Sequence, residues 1–228
     1  DSIASQASGN HVGLCHPVLS RDDNAQAQLS RIGFNRTQHA LTTLQQAGHA
    51  VHFGDNGHFQ LAQSAAQAAL MQEITHSQAH AKALVSWLSP KQALQQLKIQ
   101  CEHGGWWFPQ GLWINPPSLC NGYVDQSKDK ISLQLNTYVD SISYVDGNWQ
   151  LFDSLGCCIA ESASLILANA CDAQRLIPDA ALMLSASLRS VTKIPEQDIE
   201  LAISNLSSAS YLTSAFAGWR CAGASRDE

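Results

Sequence analysis

The chain has 228 residues, room for one large domain or two small ones, and 45% of them are apolar, which supports a core and excludes wholesale disorder. Only 14% are charged, against roughly 25% in an average globular protein, and Gln, Ser, Ala and Asn take their place on the surface. The net charge of −6, from 13 basic and 19 acidic residues, excludes a surface built mainly to grip a phosphate backbone, so any nucleic-acid contact is local or made by another part of the protein.

Residues 1–20 mix small residues, glycines and a proline, with Ser8-Gly9-Asn10-His11-Val12-Gly13 followed by His16-Pro17, and read as an ordered loop. Asp22 or Asp23 is placed to cap a helix over about 25–47, with Leu29, Ile32, Leu41 and Leu44 as its apolar stripe and Gly48 as its end. His49 to Leu61 alternates and carries Gly54, Asn56 and Gly57, which predicts a hairpin. A helix over about 64–79 with Ala68, Met71 and Ile74 inward, a short strand over 83–88 and a helix from Ser89-Pro90 to about Leu97 follow. Residues 104–117 differ in kind: three of the six tryptophans fall within eight residues, and the Pro-Gln-Gly and Asn-Pro-Pro elements predict a rigid loop rather than a strand interior. Ser118–Val124 reads as a helix entered through the prolines.

From residue 130 the texture becomes β, beginning with Lys130–Leu135 and its alternating Ile131, Leu133 and Leu135. Tyr138–Asp146, Asn148–Asp153 and Cys157–Glu161 predict a meander, turned at Asp146-Gly147 and Leu155-Gly156. The continuous apolar run Ser164–Ala170 reads as a buried parallel strand. A strand near 188–194, a helix near 196–205 and further strands complete the chain.

Chemistry is sparse by pattern. No apolar run approaches the ~18–20 residues of a membrane span, and Asp1–Ser5 lacks the features of a signal peptide. The chain does not begin with Met, so a processed chain or a piece of a longer protein is expected. Seven cysteines without a C-x-x-C pair point to reduced thiols in a cytoplasmic protein, and Cys157-Cys158 reads as packing, its side chains on opposite faces of a strand. The Asn35-Arg36-Thr37 and Asn205-Leu206-Ser207 sequons then carry no meaning. His76 and His80 lie four apart but lack further ligands, so no metal site is expected. No nucleophile motif, G-x-G-x-x-G or Walker loop is present. Gly9, Gly13, Gly104, Gly105, Gly111 and Gly223 are candidates either for close approach to a ligand or for simple turns. The aromatic cluster at 106–113 suits equally a wall for a planar ligand and a core.

Three segments together resemble one family. They are Ala7–Pro17 (ASGNHVGLCHP) with Asp22-Asp23-Asn24 after it, Gly104–Cys120 (GGWWFPQGLWINPPSLC) and Leu165–Ala173 (LILANACDA). They resemble the C-terminal FAD-dependent oxidoreductase domain of bifunctional tRNA 5-methylaminomethyl-2-thiouridine biosynthesis proteins, within the D-amino-acid-oxidase/glycine-oxidase superfamily. The match covers most of residues 1–195; the first two motifs are fairly specific and the third is shared across the superfamily. The resemblance implies an α/β (α+β) fold: a partial Rossmann-like FAD-binding domain, over 1–48 and 112–180, interleaved with a mixed-sheet substrate domain over 49–111 and 181–228. It implies FAD as cofactor and tRNA as partner. The reaction would be oxidative removal of the carboxymethyl group from 5-carboxymethylaminomethyl-(2-thio)uridine, leaving the aminomethyl form. In the family a separate methyltransferase half then uses S-adenosylmethionine. An oxidase acting on free glycine or sarcosine, and a non-catalytic remnant, are the alternatives.

By motif position, Ser8, Gly9, Asn10 and Gly13 would lie along the flavin ring, with Gly223 nearby. Val139 would meet the adenine edge through its backbone, and Ala168, Asn169 and Ala170 would sit beside the phosphates and ribose. Trp113 and Asn115 would face the flavin or substrate pocket, and Arg189 would pair with the substrate carboxylate. The family's G-x-G-x-x-G, which clamps the pyrophosphate, is absent. After Leu188, Arg189-Ser190-Val191 is one residue shorter than the family's Arg-Gly-Gln-Val, and Gly111-Leu112 stands where Gly-Gly is expected. An internal fragment, truncated at both ends and inactive alone, is therefore expected. The two loops carrying ASGN and Asn-Pro-Pro are expected to meet around one flat ligand.

Overall fold

The computed structural model describes residues 2–6, 8–180, 190–199 and 205–223. It divides into two units, one from Ser132–Leu188 and one from Ser2–Ile131 with Arg189–Glu228.

The larger unit begins with β1 (Gly13–Cys15), α1 (Ala25–Gln46), β2 (Phe53–Gly54), β3 (His58–Leu61), α2 (Ala65–Ser77), α3 (Ala79–Leu84) and β4 (Ser86–Leu88). α4 (Pro90–Leu97), β5 (Gly105–Phe108), β6 (Leu112–Ile114) and α5 (Pro116–Ser127) follow. The smaller unit holds β7 (Ser141–Val145), β8 (Asn148–Phe152), β9 (Cys158–Ser162) and α6 (Ala173–Leu176). The larger unit resumes with β10 (Thr192–Pro195), β11 (Asn205–Ser207), β12 (Tyr211–Leu212) and β13 (Trp219–Gly223).

Local chemistry explains most of the helices. α2 starts at Ser64, whose side chain accepts from Gln67 N, and buries Ala68, Met71 and Ile74 as predicted. α4 carries a reciprocal cap between Ser89 and Gln92, with Pro90 in its first turn. α1 differs from expectation at both its cap and its stripe. Asn24 caps it by accepting from Ala27 N, while Asp23, at φ 46°, pairs with Arg31 instead. Its buried residues are Ala27, Phe34, Leu41 and Leu44, whereas Leu29 and Ile32 are 67% and 58% exposed. The reason is angular: position 29 is two residues from 27, about 200° around the helix.

A seven-stranded sheet, ordered β10-β13-β12-β11-β3-β5-β4, forms the centre of the larger unit. It is mixed, because β11 runs parallel to β3 while its other pairs are antiparallel. Trp106 and Phe108 pack on one face with Met71 and Ile74 of α2, and the Trp106 indole donates to Met71 O at 3.0 Å. Phe59, Leu88 and Trp107 pack on the other with Ala93 of α4. A smaller sheet, β1-β6-β2, covers its Leu112 and Ile114 with Phe34 and Leu41 of α1.

Several expected elements are replaced. The 104–114 segment is two strands rather than a rigid loop: the aromatics at 106–108 fill both faces of the central sheet, and Leu112–Ile114 pairs with β1 and β2 in the smaller one. The 49–61 hairpin does not form: β2 pairs with β6 and β3 with β5 and β11, so the chain crosses between sheets at Gly57, φ 80°. The first part of the strand expected at 83–88 is the end of α3. The predicted meander is present as β7-β8-β9, turned at Asp146 and Gly147 with positive φ of 51° and 85°.

Two predicted strands are absent. Lys130–Leu135 is exposed and forms no strand, and Ser164–Ala170 is not a buried strand, since Ile166 is 88% exposed. Among the described residues neither has a neighbouring strand to satisfy its backbone, and apolar content alone does not supply one. Cys157 and Cys158 are both exposed, so they are not packed as expected. Of the helix expected near 196–205, the described residues show a short 3₁₀ turn at Glu196–Asp198.

Candidate functional site

The clearest constellation in the larger unit is organised by the Asn-Pro-Pro motif. Asn115 precedes two prolines whose fixed φ suits the first turn of α5, and its Oδ1 accepts from Ser118 N at 2.9 Å. Asn115 Nδ2 then donates to His11 O at 2.7 Å, and Asn115 N donates to His52 O at 2.9 Å. Ser118 Oγ in turn accepts from His52 N at 2.9 Å and donates to Asn115 O at 2.8 Å. One helix cap therefore fastens the loop leading into β1 and the approach to β2.

Register does the rest of the joining. Gly13 pairs with Ile114 and Leu14 with Trp113, so the ASGN loop emerges directly beside the Asn-Pro-Pro segment. The two stretches expected to meet do so. Trp113 is 8% exposed and packs with Val12 and Cys221, its ring 5.1 Å from Phe216. Phe216 is also 5.2 Å from each of His11 and His52, and His11 Nε2 lies 2.9 Å from Phe216 O.

Ser8, Gly9 and Asn10 are exposed ahead of β1. Gly9 makes a tight turn of its own, where an added Cβ would lie 2.9 Å from both Ala4 O and Gln6 O. At Gly13 the nearest atom to such a Cβ is 3.9 Å away. Gly105 is close to protein, 2.3 Å from Gln60 O by the same measure, as Gly104 and Gly111 are to Leu88 O and the His58 side chain. Gly223 ends β13 opposite Tyr211. Arg189 lies outside the described residues.

The smaller unit holds a cavity of about 350 Å³ lined by Val139, Ile142, Leu151, Ala168 and Asn169 among others. Three expected cofactor residues thus share one cavity, and Ala170 begins the 3₁₀ turn that follows it. Arg175 shapes its rim: its guanidinium donates to Val139 O at 2.7 Å and to Asp140 O, and sits 4.9 Å from the Tyr138 ring centroid.

Sequence reasoning missed His11, His52, Phe216 and Arg175, for which no motif gives a signal. It also missed a stacked pair of imidazoles, one buried and one partly so. His16 and His58 stack with centroids 4.2 Å apart and planes within 9°, and Phe108 flanks both. Burial first, and the facing His16 second, push His58 down to about 2 from its ordinary 6.5; burial also lowers His16. His58 Nε2 lies 2.8 Å from Ser207 Oγ, but its buried Nδ1 has no partner to orient it, so the pair lacks what activates a serine. Burial raises the Cys15 thiol to about 11 and raises Cys221, which makes both poor nucleophiles. Among the described residues no group of three or more His, Cys, Asp or Glu is placed to hold a metal ion, and no helix is long and apolar enough to cross a membrane.

Comparison with known proteins agrees with this architecture. Residues 1–227 match the family model described as FAD dependent oxidoreductase. The chain is 37% identical over 177 residues to the tRNA 5-methylaminomethyl-2-thiouridine biosynthesis bifunctional protein MnmC of Burkholderia thailandensis, covering 77% of this chain and 27% of that protein. It is 31% identical over 200 residues to MnmC of Ralstonia nicotianae, covering 88% of this chain and 30% of that one. The chain therefore spans less than a third of the curated relatives it matches. Among solved structures, glycine oxidase from Geobacillus kaustophilus superposes with a TM-score of 0.81 at 17% identity, over 98% of this chain and 62% of that chain. Glycine oxidase from Bacillus cereus gives 0.80 at 16% identity, over 99% of this chain and 64% of that chain. These likenesses show a mixed α/β fold of the D-amino-acid-oxidase type. By the extent of the family match, the chain belongs to the FAD-dependent oxidoreductase family and is homologous to the oxidase region of bifunctional MnmC.

Proposed function

We propose that this chain is the oxidoreductase part of a tRNA-modifying enzyme that removes the carboxymethyl group from 5-carboxymethylaminomethyl-(2-thio)uridine. The observation that carries the reading is the Asn115 bridge, which joins the ASGN and Asn-Pro-Pro segments in a chain homologous to MnmC. The acidic chain offers little general attraction to phosphate, so tRNA recognition rests on local contacts and on other parts of the protein.

The residues present fit FAD in two places. The cavity at Val139, Ala168 and Asn169 has apolar walls suited to a planar adenine. The Val139 carbonyl is occupied by Arg175, which leaves the Val139 N–H for the adenine edge. The exposed loop Ser8-Gly9-Asn10, in which Gly9 N donates to Gln6 O, offers small residues to a flat ring, with Gly13 on β1 and Gly223 on β13. FAD held there would supply a two-electron oxidation at the carboxymethyl carbon of the substrate's C–N bond, and water would then hydrolyse the resulting substrate imine to the aminomethyl product and glyoxylate. Asn115 positions the His11 loop, Trp113 backs it from the core, and Arg189 pairs with the substrate carboxylate. Ala170 keeps the chain turn beside the ribose and phosphates small.

The test is turnover by the full-length protein, supplied with FAD. Substrates are tRNA carrying the carboxymethylaminomethyl base and, separately, glycine, sarcosine and iminodiacetate; nucleosides are read by mass spectrometry. Conversion of the tRNA base to its aminomethyl form supports the assignment. Oxidation of the free amino acids with the tRNA base untouched overturns it in favour of a small-amine oxidase.

A further inference from the structure

The cluster around Phe216 is built for more than filling space. The backbones of His11 and His52 are both tied to the start of α5, through Asn115 and Ser118. Their rings converge on Phe216, at 5.2 Å each and tilted by 35° and 37°, and Trp113 supports the same ring from the core side. Phe216 is held in turn by the β12–β13 turn, where Ala217 and Gly218 have φ of 50° and 81°. Despite this fixed backbone the His52 side chain is exposed, and among the described residues it makes no side-chain hydrogen bond. A rigidly mounted aromatic ring with an open face is what stacking recognition needs, because little side-chain freedom is lost on binding.

Polar groups lie next to it. Two residues along, a Cβ on Gly54 would stand 2.4 Å from Trp113 Nε1 and 2.5 Å from Asn56 Oδ1. The glycine thus leaves an indole donor and an amide side by side, a pairing that complements the donor and acceptor edge of a pyrimidine.

We infer that the His52–Phe216–His11 platform, with Trp113 Nε1 and Asn56 at its edge, binds the pyrimidine ring of the target nucleotide by stacking. The inference rests on the proposed tRNA-modifying activity and names the part of this chain that holds the base. It also accounts for recognition without a basic surface, since a stacked base contributes affinity that does not depend on phosphate contacts.

The test uses the full-length, FAD-loaded protein and the free nucleoside 5-carboxymethylaminomethyluridine as probe. Binding is followed by equilibrium dialysis, and flavin content by visible absorbance. His52→Ala is expected to weaken nucleoside binding about ten-fold with flavin content unchanged. His52→Trp is expected to restore it, because a larger ring replaces the lost face. Because His52 is exposed, its variants test the platform even if Phe216→Leu fails to fold. Unchanged affinity in His52→Ala, while the wild type still converts modified tRNA, overturns the platform and leaves the activity standing. A wild type that neither binds the nucleoside nor converts the tRNA overturns both.

Discussion

His58 makes the larger unit sensitive to acid by an amount that can be worked out. In the unfolded chain its imidazole takes a proton below about pH 6.5, whereas in the folded chain it resists until about pH 2. Between those values the unfolded state binds more protons, so stability rises with pH across the window and is lost as pH falls below about 6.5. Each pH unit in the window costs about 1.4 kcal/mol, or about 2.7 kcal/mol at pH 4.5. That is a large share of the ~5–15 kcal/mol that typically holds a domain folded. Escape by protonation is blocked because His58 is fully buried, and a proton on it would face the stacked His16 ring. His58→Phe keeps a flat ring against His16 and Phe108 and removes the titration, at the loss of the bond to Ser207. Urea unfolding at pH 7, 5.5 and 4.5 should show the parent losing stability more steeply than the variant, by about 1.4 kcal/mol per pH unit. Equal slopes would refute the assignment of acid sensitivity to this pair.

Three further outcomes are expected. Asn115→Ala removes the α5 cap and the tie to His11 O, and chemical denaturation should show a loss of about 1–3 kcal/mol; a loss below ~0.5 kcal/mol would show the bridge to be idle. Arg189→Ala in the intact enzyme should raise KM for the carboxymethylated nucleoside at least about ten-fold, as expected for loss of a charge-assisted pair; an unchanged KM and unchanged turnover remove that residue from the pocket. The chain of residues 1–228, which contains no G-x-G-x-x-G, should purify without a flavin absorbance band; one flavin per chain would contradict this.

Helices that carry their own punctuation were legible in the sequence. Ser64, and Ser89 with Gln92, announce α2 and α4 because the caps are local chemistry. The meander was legible at Asp146-Gly147 for the same reason. What failed was non-local. The aromatic run 106–113 reads as a loop until β3 and β4 are known to flank β5, and β1 and β2 to flank β6. The run at 164–170 reads as a buried strand although burial depends on neighbours that its own residues do not specify. Of the residues the resemblance singled out, Gly13 and Trp113 lie on paired strands of the larger unit, and Val139, Ala168 and Asn169 line one cavity of the smaller unit. His11, His52 and Phe216 stayed hidden because residues 11 and 216 are 205 positions apart, and only tertiary folding joins them.

The parallel pairing of β11 with β3 also sets an order of events during synthesis. Asn205 meets His58 only after about 150 intervening residues have left the ribosome, including the whole Ser132–Leu188 unit. Until then one flank of β3 stays open, with its amides and carbonyls unsatisfied on that side and Phe59 lacking its cover from Leu206. A nascent chain halted before residue 205 should therefore expose a sticky strand, making this seam the step at which chaperones are most needed.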